Sequence, residues 1–339
     1  MNDPHDEAMW DQFVISHPQA SGYHTLAWRQ IVTNVFGHRT FYLMAKDDRE
    51  MVRGVFPLVL TKSSLFGCFL TSMAFFNYGG VLADSNETSA SLLKAAAEMA
   101  KETGAGHIEV RQSEPLITDW PVRSHKVSMR LSLPSDYDTL LKAYPSKLRS
   151  QIRRAQKEGM EVCVGGEELL GDYYRVFARC MRDLGTPVYE KAFFQSIVKT
   201  FPKDVRLCVV SLHGVALAAG LLYGFRRTLE IPWAASDKRF NRLAPNMLLY
   251  YTVLEYGCRE GFTEFDFGRS SVDSGTYRFK EQWGAQPHQL YWYYWLAEGR
   301  DIPQLNPENP KYKAAIALWQ HLPLPLTNLV GPHIVKYLP

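Results

Sequence analysis

A chain of 339 residues is longer than one ordinary core accommodates, so two domains are expected. With 46% hydrophobic, 13% aromatic and 22% charged residues, the composition excludes general disorder. A net charge of +3 excludes a polyanion-binding surface spread over the whole molecule and leaves local clusters to carry any electrostatic function.

The start, MNDPHDEAMWDQ, is acidic and polar, without the basic and then apolar segments of a signal peptide. A helix is expected in TLAWRQIVTNVF. Strands follow in TFYLMA (40–45), VRGVFPLVL (52–60) and CFLTSMAFFNYGGVLAD (68–84), the first two separated by the turn-like KDDRE. The helical segment SASLLKAAAEMAKETG places Leu92, Leu93, Ala96, Met99 and Ala100 on one face and ends at Gly104. The strand HIEVR (107–111) comes next, and KVSMRLSL (126–133) closes the series.

The same order then recurs. ELLGDYYRVFARCMRDLG supplies the leading helix, followed by VRLCVVS (205–211), the turn His213-Gly214 and VALAAGLLYGF (215–225). After Arg226-Arg227 come LEIPWAASD (229–237) and a helix opened by Pro245, whose apolar face reads Met247, Tyr251, Leu254 and Cys258. TEFDFG (263–268) and HQLYWYYWL (288–296) complete the second copy. Corresponding elements are offset by about 156 to 165 residues. Helix, three antiparallel strands, helix, strand, strand is the order of a GNAT acyltransferase domain, in which the central strands part to admit an acyl donor; other α+β folds share this order.

Between the copies, residues 147–157 carry Lys147, Arg149, Arg153, Arg154 and Lys157 and no acid. Leu148, Ile152 and Ala155 form a narrow apolar stripe, with Arg149, Arg153 and Gln156 on one face. A solvated charged helix and a phosphate-binding helix both fit this pattern. The five cysteines are scattered without CxxC spacing and read as reduced thiols. There is no HExxH, P-loop or GxSxG motif, and no metal site is expected. The longest apolar stretch, residues 214–225, is too short for a membrane span.

PSKLRSQIRRAQKEGMEV and RLAPNMLLYYTVLEYGCREGFTEFDFGRSSVDSGTYRFKEQWGA resemble the interdomain and second-domain signatures of the FemAB family, and the resemblance covers residues 20–297. The nearest likeness is to FemAB-like proteins of exosortase/PEP-CTERM and exopolysaccharide loci, including the tail LWQHLPLPLTNLVGPHIVKYLP. The family's best-known members transfer an amino acid from aminoacyl-tRNA to an amine of a peptidoglycan precursor, a reaction that needs positioning and oxyanion stabilisation. The resemblance assigns Lys280 to the developing charge or the leaving group and Phe279 to the pocket wall, within Phe279-Lys280-Glu281-Gln282-Trp283-Gly284. Tyr277 is a further substrate-binding candidate.

The GNAT pattern places a pyrophosphate loop at Arg239-Phe240-Asn241-Arg242-Leu243-Ala244, of which only the first and last positions fit. Arg242 stands where a glycine would free backbone N–H groups for the diphosphate of CoA, so the loop is cationic but poorly suited to CoA. Asn246 either caps the following helix or meets substrate. Asp266 acts as a base or bonds the next turn, with Ser270, Ser271 and Ser274 as partners. Arg269 is an anion-binding candidate. TPVYEKAFFQSIVKTFPKD is too short for the coiled-coil arm of many tRNA-using members.

The tail, residues 309–339, has Lys311, Lys313 and Lys336, no acid, and prolines at 323, 325 and 332 that prevent one continuous helix. It either packs on the second domain or rests on a membrane surface.

The expected fold is α/β (α+β): two tandem GNAT-like domains, each a mixed, mostly antiparallel sheet flanked by helices. The division is 1–135 for the first domain, 136–160 for the basic helix, 161–300 for the second domain with the cleft, and 301–339 for the tail. The expected activity is acyl transfer forming an amide on a cell-envelope or exopolysaccharide precursor. The donor is aminoacyl-tRNA or acyl-CoA, and no cofactor is tightly held. Partners are a small-molecule or lipid-linked precursor, tRNA, and the inner membrane face of a cytoplasmic protein. Alternatives are an acyl-CoA N-acetyltransferase and a non-catalytic glycan- or precursor-binding protein.

Overall fold

The structure, a computed structural model, describes residues 4–64, 66–303 and 310–338. Met1, Asn2 and Asp3 of the acidic start, Asn309 of the tail and the side chain of Lys311 lie outside the described residues. The chain begins with α1 (Pro4–Ser16), α2 (Ala27–Phe36), β1 (Arg39–Lys46), β2 (Val52–Ser63), β3 (Gly67–Thr71), β4 (Leu82–Ala83) and α3 (Asn86–Thr103). It continues with β5 (His107–Gln112), β6 (Val122–Arg123), β7 (Lys126–Ser132), α4 (Tyr137–Ala143), α5 (Ser146–Gln156), β8 (Glu161–Gly165), α6 (Leu170–Leu184) and α7 (Lys191–Thr200). Then come β9 (Val205–Leu212), β10 (Val215–Phe225), β11 (Thr228–Ser236), α8 (Pro245–Arg259), β12 (Glu264–Ser271) and α9 (Gly275–Glu281). The chain finishes with β13 (Gln286–Gln289), β14 (Tyr291–Leu296), α10 (Pro310–His321) and α11 (Leu324–Val335).

These elements build two mixed sheets. The first has the order β1-β2-β3-β5-β14-β6, with β4 on β2; the second has the order β13-β7-β12-β11-β10-β9-β8. The described residues divide into two compact units. One lies within Met1–Val127, Gln289–Leu305 and Lys336–Pro339, the other within Ser128–His288 and Asn306–Val335. The two closing strands are exchanged. Residues 126–132, read as the end of the first copy, lie beside β12 in the second sheet, and β14 lies between β5 and β6 in the first. Alternating apolar residues identify such segments as strands, but not which sheet takes them.

In the first unit, Ser85 caps α3 by accepting the Thr88 N–H, and Gly104 ends the helix in the left-handed region at φ 71°. The face so fixed packs Leu92, Leu93, Ala96 and Ala100 against Phe56, Leu58, Leu70 and Ile108 of the sheet. In the second unit, His213 and Gly214 both take positive φ, as a two-residue hairpin turn between β9 and β10 requires. The β10 residues 216–224 are buried without alternation because α6 and α8 both pack on this strand. Along α8 the buried face runs through Leu249, Tyr250, Val253, Leu254 and Gly257. Tyr251, expected on the core face, is half-buried and meets Tyr137 edge-on at 5.2 Å.

Candidate functional site

The second sheet carries a fork. β11 and β12 run parallel and pair only at Thr228–Glu264, Leu229–Phe265 and Glu230–Asp266. Beyond that point β11 stays bonded to β10 as far as Ser236, so the two parallel strands separate. The last pair consists of two acids in a buried setting, Glu230 at 6% and Asp266 at 2% exposure. Buried carboxylates need compensation. For Asp266, Oδ1 accepts from the Ser128 hydroxyl at 2.7 Å and from the Gly268 N–H at 2.7 Å. Arg130 Nε stands 3.7 Å from Oδ2. Asp266 therefore bonds Gly268 within its own strand rather than the turn that follows β12, and its hydroxyl partner is Ser128 on β7. Glu230, Ser128 and Arg130 do not stand out in the sequence; the signal for Glu230 is a lone acid inside the apolar strand LEIPWAA.

Lys280 reaches this fork from α9. Its Nζ donates to the carbonyls of Gly268 and Arg269, each at 2.9 Å, just past the last β11–β12 pair. The side chain is 8% exposed. Burial pulls its pKa down to about 8, against the upward pull of Asp266 and Glu230, while Arg269 adds to the fall. The helix that delivers it is held firmly. Ser274 caps α9 by accepting the Tyr277 N–H, and fully buried Trp283 meets Tyr144 edge-on at 5.6 Å. Phe279 packs edge-on against Tyr250 at 5.0 Å. Tyr277 is half-buried and the Arg269 side chain is exposed.

The loop before α8 forms a second, cationic part. Asp237 accepts from the Arg239 backbone and takes the Arg239 guanidinium in a bidentate pair, with distances down to 2.6 Å. Burial raises the pKa of Asp237, but the Arg239 hydrogen bonds and the charges of Arg239 and Arg179 outweigh it and hold the carboxyl below its ordinary value. Ala244, at φ 55°, turns the chain into α8, which starts without a side-chain cap on its N-cap residue. Asn246 is half-buried in the first turn of that helix, and Arg242 is exposed. The basic helix α5 buries Leu148, Ile152 and Ala155 and packs on α8. Arg154 donates to the Arg242 carbonyl at 2.9 Å, so the basic helix and the loop meet. Arg149 is half-buried and Arg153 exposed. Lys280, Asp266 and Glu230 thus gather at the fork, and Arg154 and Arg242 where α5 meets the loop.

The first sheet lacks such a fork, because β3 ends at its last pair with β5. The two strands pair at Leu70–Ile108 and Thr71–Glu109, so Glu109 holds the place of Asp266. Arg111 clamps Glu109 at 2.8 and 2.7 Å and donates to the Phe76 carbonyl, and the Tyr294 hydroxyl donates to Glu109 at 3.0 Å. A polar cavity of about 300 Å³ adjoins Arg111, Gln112, Gly79 and the start of α3. Among the described residues no group of three or more His, Cys, Asp or Glu is arranged to hold a metal ion.

Residues 144–281 match the family described as acetyltransferase (GNAT) domain. Over 150 residues the chain is 25% identical to the UDP-N-acetylmuramoylpentapeptide-lysine N(6)-alanyltransferase of Weissella viridescens. That match covers 43% of this chain and 44% of the relative, less than half its length. Among solved structures, FemX superposes with a TM-score of 0.64 at 18% identity, over 85% of this chain and 95% of that one. The L-PGS of Bacillus licheniformis gives 0.57 at 13% identity, over 97% of both chains. A tandem GNAT protein from the clavulanic acid pathway gives 0.55 at 13%, over 89% and 97%. The architecture is therefore that of tandem GNAT-like proteins, and residues 144–281 carry the likeness to the GNAT domain family.

Proposed function

We propose that the protein is a Fem-like transferase that forms an amide on a cell-envelope precursor, with aminoacyl-tRNA as the donor. The observation that carries this reading is Lys280, buried at the fork with two of its three ammonium protons on the Gly268 and Arg269 carbonyls. In the reaction, the acceptor amine attacks the ester carbonyl carbon, the oxygen becomes an oxyanion, and collapse expels the ribose oxygen, which takes up a proton. The third Lys280 proton serves that oxyanion or the leaving oxygen, in a setting where charge interactions are strong. Phe279 walls the pocket. Asp266 and Glu230 hold Lys280 in its charged form, which is a positioning role.

Arg242, Asn246, Arg269, Tyr277, Arg149 and Arg153 are assigned to substrate binding, with α5 meeting the phosphates of the donor. Arg239, expected in the same group, is committed to Asp237, and the loop lacks the glycine that a CoA diphosphate needs. Both observations favour aminoacyl-tRNA over CoA. The likeness to the Weissella alanyltransferase supports a peptidoglycan-type acceptor, and the tail's likeness to exosortase/PEP-CTERM-associated proteins adds exopolysaccharide precursors. A lipid-linked precursor places the reaction at the inner membrane face; among the described residues no helix is long and apolar enough to cross a membrane.

The test is amide formation by the purified protein with charged tRNA or acetyl-CoA and amine-bearing precursors. Product with charged tRNA that is lost in Lys280→Ala supports the assignment. Product with acetyl-CoA alone overturns the donor, and full activity of Lys280→Ala overturns the site.

A further inference from the structure

The helical pair α10–α11 has an inner and an outer face. Inside, α10 and α11 pack on α6, where Gln320 donates to the Asp183 carbonyl and Arg182 to the Leu322 carbonyl. Gly331 lies so close to Val188 that a Cβ there would stand 2.9 Å from the Val188 nitrogen. Thr327, Gly331 and Val335, four residues apart, form the buried stripe of α11. The opposite faces leave large apolar side chains in water: Leu318 at 67%, Leu326 at 41% and Leu329 at 68% exposure. At the His321 end of α10 lies a hollow of about 450 Å³, lined by Arg179, Arg182, Lys238 and Arg239 together with Asp183 and Gln320. Asp183 and Asp237 are the carboxylates paired with these four cations, so positive charge remains in excess. Residues 310–338 contain no acid.

Exposed leucines on helices that carry no carboxylate, together with a cationic hollow at the His321 end of α10, complement one kind of surface: apolar in depth and anionic at its rim. We propose that the outer face of α10–α11 and the adjoining hollow dock the protein on an anionic phospholipid bilayer. Leu318, Leu326 and Leu329 enter the headgroup boundary, while Arg179, Arg182 and Lys238 meet lipid phosphates. Membrane docking rests on the reading that the acceptor is lipid-linked, but it is measured without that acceptor.

The full-length chain is sedimented with vesicles of phosphatidylcholine containing phosphatidylglycerol, and with vesicles of phosphatidylcholine alone. Binding to the anionic vesicles that weakens with salt is expected, with roughly a tenfold loss in Leu318→Glu/Leu329→Glu. Lys238→Gln is expected to weaken binding several-fold and flatten its salt dependence. These side chains are exposed, so thermal melts should match wild type. Acyl transfer to a soluble acceptor analogue is measured on the same variants and should be unchanged. The proposal is overturned if wild type ignores anionic vesicles, if the double variant binds equally well, or if inorganic phosphate is bound while vesicles are not. Vesicle binding without any acyl transfer would leave docking standing and remove the assigned reaction.

Discussion

Replacing Lys280 by Met tests both the electrostatics of the fork and the role given to the ammonium. A lysine whose pKa falls from 10.5 to about 8 on folding releases its proton from the folded protein first. Between those values the unfolded chain holds more protons, so stability rises with pH. The gain attributable to Lys280 is about 3 kcal/mol, starting near pH 8 and complete near pH 10.5. Below pH 8 the buried charge costs that amount. Lys280→Met removes this cost but leaves the Gly268 and Arg269 carbonyls without their donor, at about 1–3 kcal/mol each. The two effects oppose each other at neutral pH, roughly 3 kcal/mol gained against about 2–6 kcal/mol lost, so the slope with pH is the diagnostic, not the midpoint. Denaturant unfolding of both proteins from neutral to alkaline pH measures it: the wild-type minus variant difference should climb by about 3 kcal/mol. Activity should fall as Lys280 loses its proton above pH 8, and Lys280→Met should lose about 10²–10³ in kcat at neutral pH. A pH-independent stability difference would refute the buried-ammonium argument, and wild-type turnover by the variant would refute the catalytic one.

Asp266→Asn removes a charge that raises the Lys280 pKa, so the alkaline limb of the pH–rate profile should move to lower pH while measurable activity remains; complete loss at every pH would instead assign Asp266 as the base. Arg149→Gln/Arg153→Gln should weaken charged-tRNA binding and reduce its salt slope by about one for each phosphate no longer neutralised, as read by filter binding at several ionic strengths. Neither the wild type nor Arg239→Ala is expected to bind CoA tightly in calorimetry, and Arg239→Ala should lower stability by about 1 kcal/mol or less, because its exposed guanidinium serves Asp237. Gly331→Val should lower the unfolding free energy by about 1–3 kcal/mol, because the new side chain meets the Val188 backbone; an unchanged melt would show that α11 moves freely.

Local punctuation makes much of the fold legible. Gly104 ends one helix, Pro245 opens another, and His213-Gly214 sets a hairpin, whereas the Ser85 cap that starts the first of these helices at Asn86 is found only in the structure. The tail's prolines separate α10 from α11 near Pro323, although Pro332 is accommodated inside α11. Long-range partners are less legible. Ser270, Ser271 and Ser274 are near Asp266 in sequence, yet the hydroxyl that bonds it is Ser128, from a strand of the other copy. Tyr251 has helical spacing for the core, but Tyr137 of α4 draws it aside. Lys280 is visible through its motif, whereas Glu230 becomes visible only once register pairs it with Asp266. Periodicity reports burial, and pairing between distant strands is fixed by tertiary packing.

The exchanged strand also bears on biosynthesis. Ile108 pairs with Trp295, so the first sheet cannot complete its ladder until nearly the whole chain has been translated. A nascent first half displays β5 as a bare edge, with its ladder groups available to any extended neighbour. On a ribosome adding about 5–20 residues per second, that edge waits on the order of ten seconds for β14. Truncation after the second sheet would make the wait permanent, giving a first half that aggregates rather than a free-standing domain. A holdase that covers an unpaired strand would therefore have its largest effect on the yield of the N-terminal half.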